Sequence, residues 1–524
     1  MQDLHLAPKN TGGEPVFSPR VLHKTSIITQ AMHPIMTSLD VGLFTPLVLC
    51  GTRSGLMINF TADRWLTPLI LVLVLGGLAA CATNNSQPLP RLVPDQWAHP
   101  LTPEAGAIKP DLSSWWTAFA DPQLDALVKL AMVQNLTLAQ AQDRIHRARI
   151  QLGHAGDEFL PELRAHAQPN ESISARDTYF QYGLDATWEL SLFGRKESLQ
   201  QLAEAAIQTT EAEAEAARVS VVAEVVRTYI ELRTSQQQQH LLDRQAQLLQ
   251  ARKHLLEVRQ QLGLSAAKEL TAANSESLLL QINLSKNRQL ADSSAQRLAL
   301  LLGQTTPNAE WQIAAPQPQL GAYGFAQLPV DMLRTRPEIK AAEAAVLQAT
   351  GELGVARADM YPYLALGTAY LFSTNLTSNA TSDSLIHSTP ALGPTIDIPL
   401  FDWGRRQAAV RAQRSALDAS LLAYRQSVLE AVTEAEIALS SLQSQQQILA
   451  TTLANKGNRE RELARIQQLQ QLGFASELDA LAEQQQTIES QLALLEAHAS
   501  HNLAFVALYK SLGGAPLPAD GGLP

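Results

Sequence analysis

Two cysteines, Cys50 and Cys81, are all that this sequence holds, too few for a disulfide framework. Basic residues are outnumbered, with 40 Lys and Arg against 50 Asp and Glu, and nothing in that balance favours nucleic acid as a partner. No phosphate-binding loop, nucleophile elbow or zinc-protease motif appears, so the sequence offers no support for an enzyme. His498 and His501, three apart on a helix, could share a metal, but no third ligand lies near and a solvated pair fits as well. No metal site and no cofactor is expected. Proline is missing from 194–303 and again from 403–512, which removes the main helix breaker from two very long stretches.

Both stretches are composed mostly of Ala, Leu, Gln, Glu and Arg, all good helix formers. In the second, glycine occurs only at Gly404, Gly457 and Gly473. Apolar positions recur at sevens (Leu421, Val428, Ala435, Leu442, Leu449), and Leu422 and Leu429 begin an adjacent series. A two-stranded coiled coil needs one narrow seam; two neighbouring stripes let a helix pack against a partner on each side, as a closed wall of helices requires. Gly473 is the expected turn, because glycine tolerates the backbone angles that reverse a chain. A helix from Arg405 to Leu472 extends about 100 Å at ~1.5 Å per residue, a span suited to the distance between two membranes. The first stretch repeats the pattern with Leu241, Leu248, Leu255 and Leu262 beside Leu242, Leu249 and Leu256. Gln260-Gln261-Leu262-Gly263-Leu264 echoes Gln470-Gln471-Leu472-Gly473-Phe474, and Leu302-Gly303 echoes Leu512-Gly513, at an offset of about 210. The chain is one duplicated architecture without a separate catalytic domain.

The apolar run Leu66–Leu78 follows Arg64 and ends in Leu78-Ala79-Ala80-Cys81. That layout is a secretory signal, and the run is short of the ~20 residues of a membrane span. Leu-Ala-Ala-Cys resembles the lipobox of bacterial lipoproteins, which implies cleavage before Cys81 and acylation, palmitate included, of that residue; the competing reading is a core helix with a buried cysteine. Ala82, where an aspartate would retain a lipoprotein at the inner membrane, points to the outer membrane. Such signals begin near the initiator, so translation from Met57 is expected, with 1–56 a non-native extension, 57–80 the signal peptide and 81–110 a lipidated tether rich in Pro and small polar residues.

Beyond the tether, Asp121-Pro122 caps a short helix, Asn135–Glu158 reads as a second, and Pro161 ends helical structure. Leu163, Ala165 and Ala167 then alternate with Arg164, His166 and Gln168, and the residues from Phe180 to Leu190 alternate in the same way. These are strand pairs with one apolar and one polar face, which suits either a sandwich or a membrane barrel that is apolar outside. In the second half Leu364, Leu366, Tyr370 and Phe372 share a face, Leu392, Ile396, Ile398 and Leu400 share another, and Ser373–Thr389 reads as an exposed loop. Four strands are too few for a closed barrel, which needs at least ~8; a barrel reading forces oligomerisation.

Leu328-Pro329, Leu333-x-x-Arg336-Pro337-Glu338-Ile339, Gly354-Val355-Ala356-Arg357-Ala358, Tyr361-Pro362, Pro399-Leu400-Phe401-Asp402-Trp403-Gly404-Arg405 and Leu508-Tyr509-Lys510-x-Leu512-Gly513-Gly514 together resemble the TolC-like outer-membrane efflux factors. Asp121-Pro122-x-Leu124 and the lipobox resemble the lipoprotein, NodT-type branch. The resemblance implies a mainly α chain with a transmembrane β-barrel portion: a homotrimer whose 12-stranded barrel, in outer-membrane lipid, continues into an α-helical periplasmic barrel. Two repeats, 111–303 and 329–514, flank an equatorial linker, 304–328, and 515–524 form a tail.

The resemblance also implies function. It is that of a passive exit duct for drugs or other small toxic compounds in a tripartite efflux system, conferring multidrug resistance. Its helical tips meet a periplasmic adapter (membrane fusion) protein that links it to an inner-membrane pump of the RND type. Carried over, the adapter contact falls on Leu262, Gly263, Leu264 and Ser265 and on Leu472, Gly473, Phe474 and Ala475, residues that also serve to terminate helices. The gate falls on Asp479, one of two acids (with Glu269) six residues past a turn glycine, and on Glu483. The family's next acidic position is Ala482 here. In a threefold assembly an inward carboxylate becomes a ring of three that favours cations; an ordinary solvated helix position is the competing reading. The alternative function is a structural periplasmic coiled-coil lipoprotein scaffold.

Overall fold

A computed structural model describes residues 112–172, 177–264, 267–321, 333, 335–375 and 387–514. The leader, Cys81, the tether, Ser265, the motif Leu328-Pro329, residues 376–386 and the tail lie outside the described residues.

A 3-10 segment, Leu112–Phe119, precedes α1 (Pro122–Gln134) and α2 (Leu136–His154). Asp121 caps α1 by accepting from the N–H groups of Gln123 and Leu124, with Pro122 in the first turn; Asn135 caps α2 through Thr137 and Leu138. The second helix is shorter than expected. It stops at His154 and Gly156 leads into a 3-10 turn, Asp157–Phe159. The hairpin β1 (Glu162–Ser172) and β2 (Asp177–Glu189) is followed by α3 (Arg195–Gln261) and α4 (Ala267–Leu301). After a single turn at Ala309–Gln312 come α5 (Pro337–Ala358), β3 (Tyr363–Asn375), β4 (His387–Asp397), α6 (Arg405–Gln471) and α7 (Glu477–Ser511).

In the long helices the duplication holds to the residue. Helices α3 and α6 have 67 residues each, and α4 and α7 have 35 each. Gly194 and Gly404 precede the long helices with φ of +78° and +77°. Gly457 leaves α6 unbroken.

The helices form a wall of four columns. Central α3 packs on α2 and α4 along one side and on α5 and α7 along the other, while α6 packs on α5 and α7. Within two columns a short helix stands end to end on another. Asn135 Nδ2 donates to the Leu301 carbonyl at 2.8 Å, joining the start of α2 to the end of α4. In the matching column Gly513, just past α7, lies against Arg336, which precedes α5. Arg336 is buried and donates to Glu434 at 2.6 Å and to the Ala431 carbonyl at 3.2 Å, clamping α5 to α6.

The main core sits at this level: Trp115 stacks on Tyr509 with ring centroids 5.4 Å apart and packs on Phe505, which anchors the Leu112–Phe119 segment on α7. Below it Leu242, Leu249 and Leu256 are buried against α4 and α7. The parallel series behaves differently: Leu241, Leu248 and Leu255 are half-buried, and Leu262 is exposed. On α6, Val428, Ala435 and Leu442 are buried, whereas Leu422 and Leu429 remain 62% and 56% exposed. One stripe on α6 is therefore used within the chain and its neighbour is not.

The strands form one antiparallel sheet in the order β1-β2-β3-β4. Strands β3 and β4 run into the segment expected to be loop, as far as Asn375 and from His387. Cross-strand partners such as Ser373 with His387 and with Gln181 supply backbone bonds that override the weak strand preference of these polar residues. Ile398 and Leu400, expected on the face of the last strand, lie beyond Asp397, where β4 ends.

Candidate functional site

At the ends of α3 and α6 the chain reverses through two matched turns. Leu264 N–H donates to the Arg259 carbonyl at 2.8 Å and Gly263 N–H to Gln260 at 3.0 Å; Phe474 to Leu469 and Gly473 to Gln470 repeat these distances. This is the Schellman pattern, which needs a left-handed residue after the helix, and Gly263 and Gly473 supply it at φ +69° and +80°. A Cβ on either glycine would meet no atom within 4 Å. Backbone angle, rather than close approach within the chain, explains both glycines. The turns display Leu262, Leu264, Leu472 and Phe474, the last 80% exposed, and Ala475 is half-buried. Apolar residues left on a turn have no packing role within this chain. Ser265 lies outside the described residues.

Ser476 caps α7, and Asp479 completes a capping box by accepting from the Ser476 hydroxyl at 2.7 Å and its N–H at 2.9 Å. These hydrogen bonds hold the Asp479 carboxyl below its ordinary range. The residue is exposed, and the capping geometry accounts for an acid at this position. Glu483, one turn on, turns into the hairpin and faces Arg459 of α6 at 3.5 Å; its Oε1 is buried without a hydrogen bond, so the contact is electrostatic.

Sequence reasoning missed a cluster that ties the two hairpins together. Arg252 on α3 pairs with Glu276 on α4 at 3.2 Å and reaches Gln485 on α7 at 3.4 Å, while Gln485 donates to Glu276. No motif announces it, because Arg252 and Gln485 are 233 positions apart.

At the other end of the helices, the register gathers apolar residues on one face of the sheet. Leu163, Ala186 and Thr368 fall in one row with Leu392, and Ala165, Leu184, Tyr370 and Pro390 in the next. Leu163, Leu184, Tyr370, Leu392 and Ile396 are all exposed on this face, from 45% to 77%. The opposite face carries Arg164, Gln168, Asp185 and Glu189, with His166 bonded to Asp185 at 2.8 Å.

His498 is half-buried and His501 buried; burial lowers the pKa of both. Among the described residues no three metal-ligating side chains come together, and no helix is long and apolar enough to cross a membrane.

Comparison with known proteins gives this geometry a family. The chain is 28% identical over 466 residues to the pyoverdine export outer membrane protein OpmQ of Pseudomonas putida, covering 83% of this chain and 95% of that protein. It is 25% identical over 447 residues to nodulation protein T of Rhizobium leguminosarum bv. viciae, covering 83% and 89%. The solved outer-membrane channel OprN superposes with a TM-score of 0.67 at 26% identity, covering 82% of this chain and 98% of that one. The model of the family described as outer membrane efflux protein matches residues 127–304 and 328–514, more than half of the sequence. The chain belongs to the outer membrane efflux protein family.

Proposed function

We propose that three copies of this chain close into the passive exit duct of a tripartite efflux system. The supporting observation is that two layers are open at the same places. Among the described residues the sheet ends in β1 and β4, each paired on one side, and the helical wall ends in the α2/α4 column and in α6. These helical edges carry exposed Leu278, Leu279 and Ile282 on one side and Leu422, Leu429 and Ile437 on the other. Edges that differ from each other pair heterologously, and heterologous contacts form a ring when the rotation between copies closes. Three four-stranded sheets make a twelve-stranded barrel with its apolar face in the outer membrane; strands of 11 and 13 residues meet the ~9–11 that a tilted membrane strand needs. A coiled-coil scaffold has no use for that exposed apolar face.

The long helices then form the periplasmic conduit, anchored by acyl chains on Cys81. The tip turns, with Leu264 and Phe474 outermost, are the docking surface for an adapter protein, which couples the duct to an inner-membrane pump of the RND type. Asp479 lines the closed end as a ring of three. Glu483 and the Arg252–Glu276–Gln485 cluster brace the hairpins. Drugs and other small toxic compounds pass without covalent change. Planar-bilayer recording tests the reading: discrete channels from a heat-resistant trimer are expected, with cation preference reduced by Asp479→Ala. A preparation that stays silent even when the tip turns are loosened, and that runs as a monomer, would overturn it in favour of the scaffold.

A further inference from the structure

The two halves of the chain repeat in their contacts as well as in their sequence. Pro161 and Pro362, which precede β1 and β3, lie 201 positions apart, and Gly194 and Gly404, which precede α3 and α6, lie 210 apart. The same two offsets carry the β1–β2 partners Glu162 and Thr187 onto Tyr363 and Asp397, which are partners in β3–β4. The first offset also carries Asn135, which caps α2, onto Arg336 ahead of α5.

Two joints connect the first half to the second, β2 on β3 and α3 on α5. Across the strand joint Thr187 faces Gly367. In the helix joint a Cβ on Gly354 would strike Ser198 and one on Gly351 would stand 2.9 Å from Leu202, so glycine is what lets the two helices approach. On α3, Ala212 and Val219 are 2% and 6% exposed; their counterparts on α6 are the exposed Leu422 and Leu429. Gly153, the counterpart of Gly354, lies in α2 without a positive φ, and a Cβ there would meet nothing within 4 Å. Nothing in its own chain calls for so poor a helix former at that place. Strand β4 and helix α6 thus repeat the surface that β3 and α5 cover on the first half, and β1 and α2 repeat the surface that covers it. Complementary surfaces at opposite edges of one chain fit a second copy.

We infer that copies of this chain join in the register of the internal joint, with β1 and α2 of one copy on β4 and α6 of the next. Thr187 and Gly367 correspond to Asp397 and His166, so Asp397 faces His166 of the partner subunit. Both residues lie on the polar face of the sheet, where His166 already bonds to Asp185 at 2.8 Å. Each imidazole is then held between two carboxylates, a site that only the partner subunit completes. Leu190 N–H donates to the Leu364 carbonyl at 2.9 Å; its counterpart Leu400 donates in the same way to Leu163 of the partner subunit and carries β4 past Asp397. Gly153 of the partner subunit lies over Ala408, as Gly354 lies over Ser198. The inference rests on the ring proposed above and specifies its register.

Disulfide cross-linking of the full-length protein in membranes tests this. Counted back from the hydrogen-bonded pair Leu190 and Leu364, Thr187 and Gly367 form a non-hydrogen-bonded pair, the close kind with Cα atoms ~4.5 Å apart. His166→Cys together with Asp397→Cys should therefore link copies into a covalent trimer on denaturing gels without reductant, with the unsubstituted protein as blank. Within one chain the two positions are three strand spacings apart, about 14 Å, beyond the ~7 Å reach of a disulfide. His166→Cys with Thr395→Cys is the control, two residues out of register at ~7–8 Å, and should link about fivefold less or not at all. Gly153→Cys with Ala408→Cys reads the helical layer and decides the matter if the strand variant does not assemble. In assembled trimers, absence of linkage at the in-register pairs, or equal linkage in the shifted control, would overturn the inference. Native mass and single-channel currents from the same preparations separate the two readings: trimeric channels that do not link in register sink this inference alone, and absence of channels and trimers sinks the ring.

Discussion

If the chain forms the gated duct proposed above, replacing Arg252 with alanine should bias it towards an open state. The guanidinium joins α3, α4 and α7 through Glu276 and Gln485, so the tips cannot separate hairpin from hairpin while it holds. Its side chain and that of Glu276 are 35% and 34% exposed, and solvent screening at that exposure leaves about 0.5–1 kcal/mol per copy. If three copies open together, roughly 1.5–3 kcal/mol is removed from the closed state, a shift of about 10- to 100-fold in the closed-to-open ratio. Open probability in single-channel recordings reads this directly. Arg252→Glu combined with Glu276→Arg should restore closure, because the pair is reversed but retained. Arg227→Ala is the control, since its pair with Glu231 lies within one helix and should leave opening unchanged. Unaltered open probability in Arg252→Ala, with trimer and conductance intact, would refute the bracing role.

The turn glycines separate strain from crowding. Gly473→Ala should cost only about 1 kcal/mol, for a side chain at positive φ, whereas in Gly303→Ala the new Cβ would also stand 2.8 Å from the Gln134 carbonyl and cost about 1–3 kcal/mol more; thermal unfolding of both variants checks the order. Arg336→Ala should destabilise by about 2–4 kcal/mol, because it strips the Ala431 carbonyl and the α5–α6 clamp of a buried donor, and Tm measures it. For His501 the folded-state pKa lies below the ordinary 6.5, so the folded form resists a proton that the unfolded chain accepts. Its stability contribution is complete above pH 6.5 and is lost as pH falls below that value; His501→Gln should flatten a plot of Tm against pH in that window, and an unchanged slope would show that other groups set it.

The long elements were legible because their signals are local and repeated. Missing proline, leucines at sevens and paired turn glycines mark α3, α4, α6 and α7 almost to the residue. Alternation marked the strands but not their ends: Ser373 and His387 have little strand preference of their own and are held by partners across the ladder. The tips were half legible. Gly263 and Gly473 announce turns through one backbone angle, yet Asp479 reads equally well as a capping acid or a pore acid, and the capping box accounts for its position without settling what it faces in an assembly.

Least legible was the bracing at Arg252, since a salt bridge between columns depends on which helices become neighbours, and no spacing within one helix encodes that. The same reasoning explains why two hairpins of equal length need not behave alike. Helix α3 is covered on both sides by other columns, whereas α6 has the α5/α7 column on one side and exposed Leu422, Leu429 and Ile437 on the other. In the ring proposed above, α6 meets only one column of its own chain, so movement of the α6–α7 hairpin breaks fewer intrachain contacts than movement of α3. The contacts that resist it include the Arg336 clamp on α6, but those near the tips, Arg252 with Gln485 and the packing of Leu478 and Leu492 against the α3–α4 leucines, lie on α7, so in the proposed ring the α3–α7 seam should control closure.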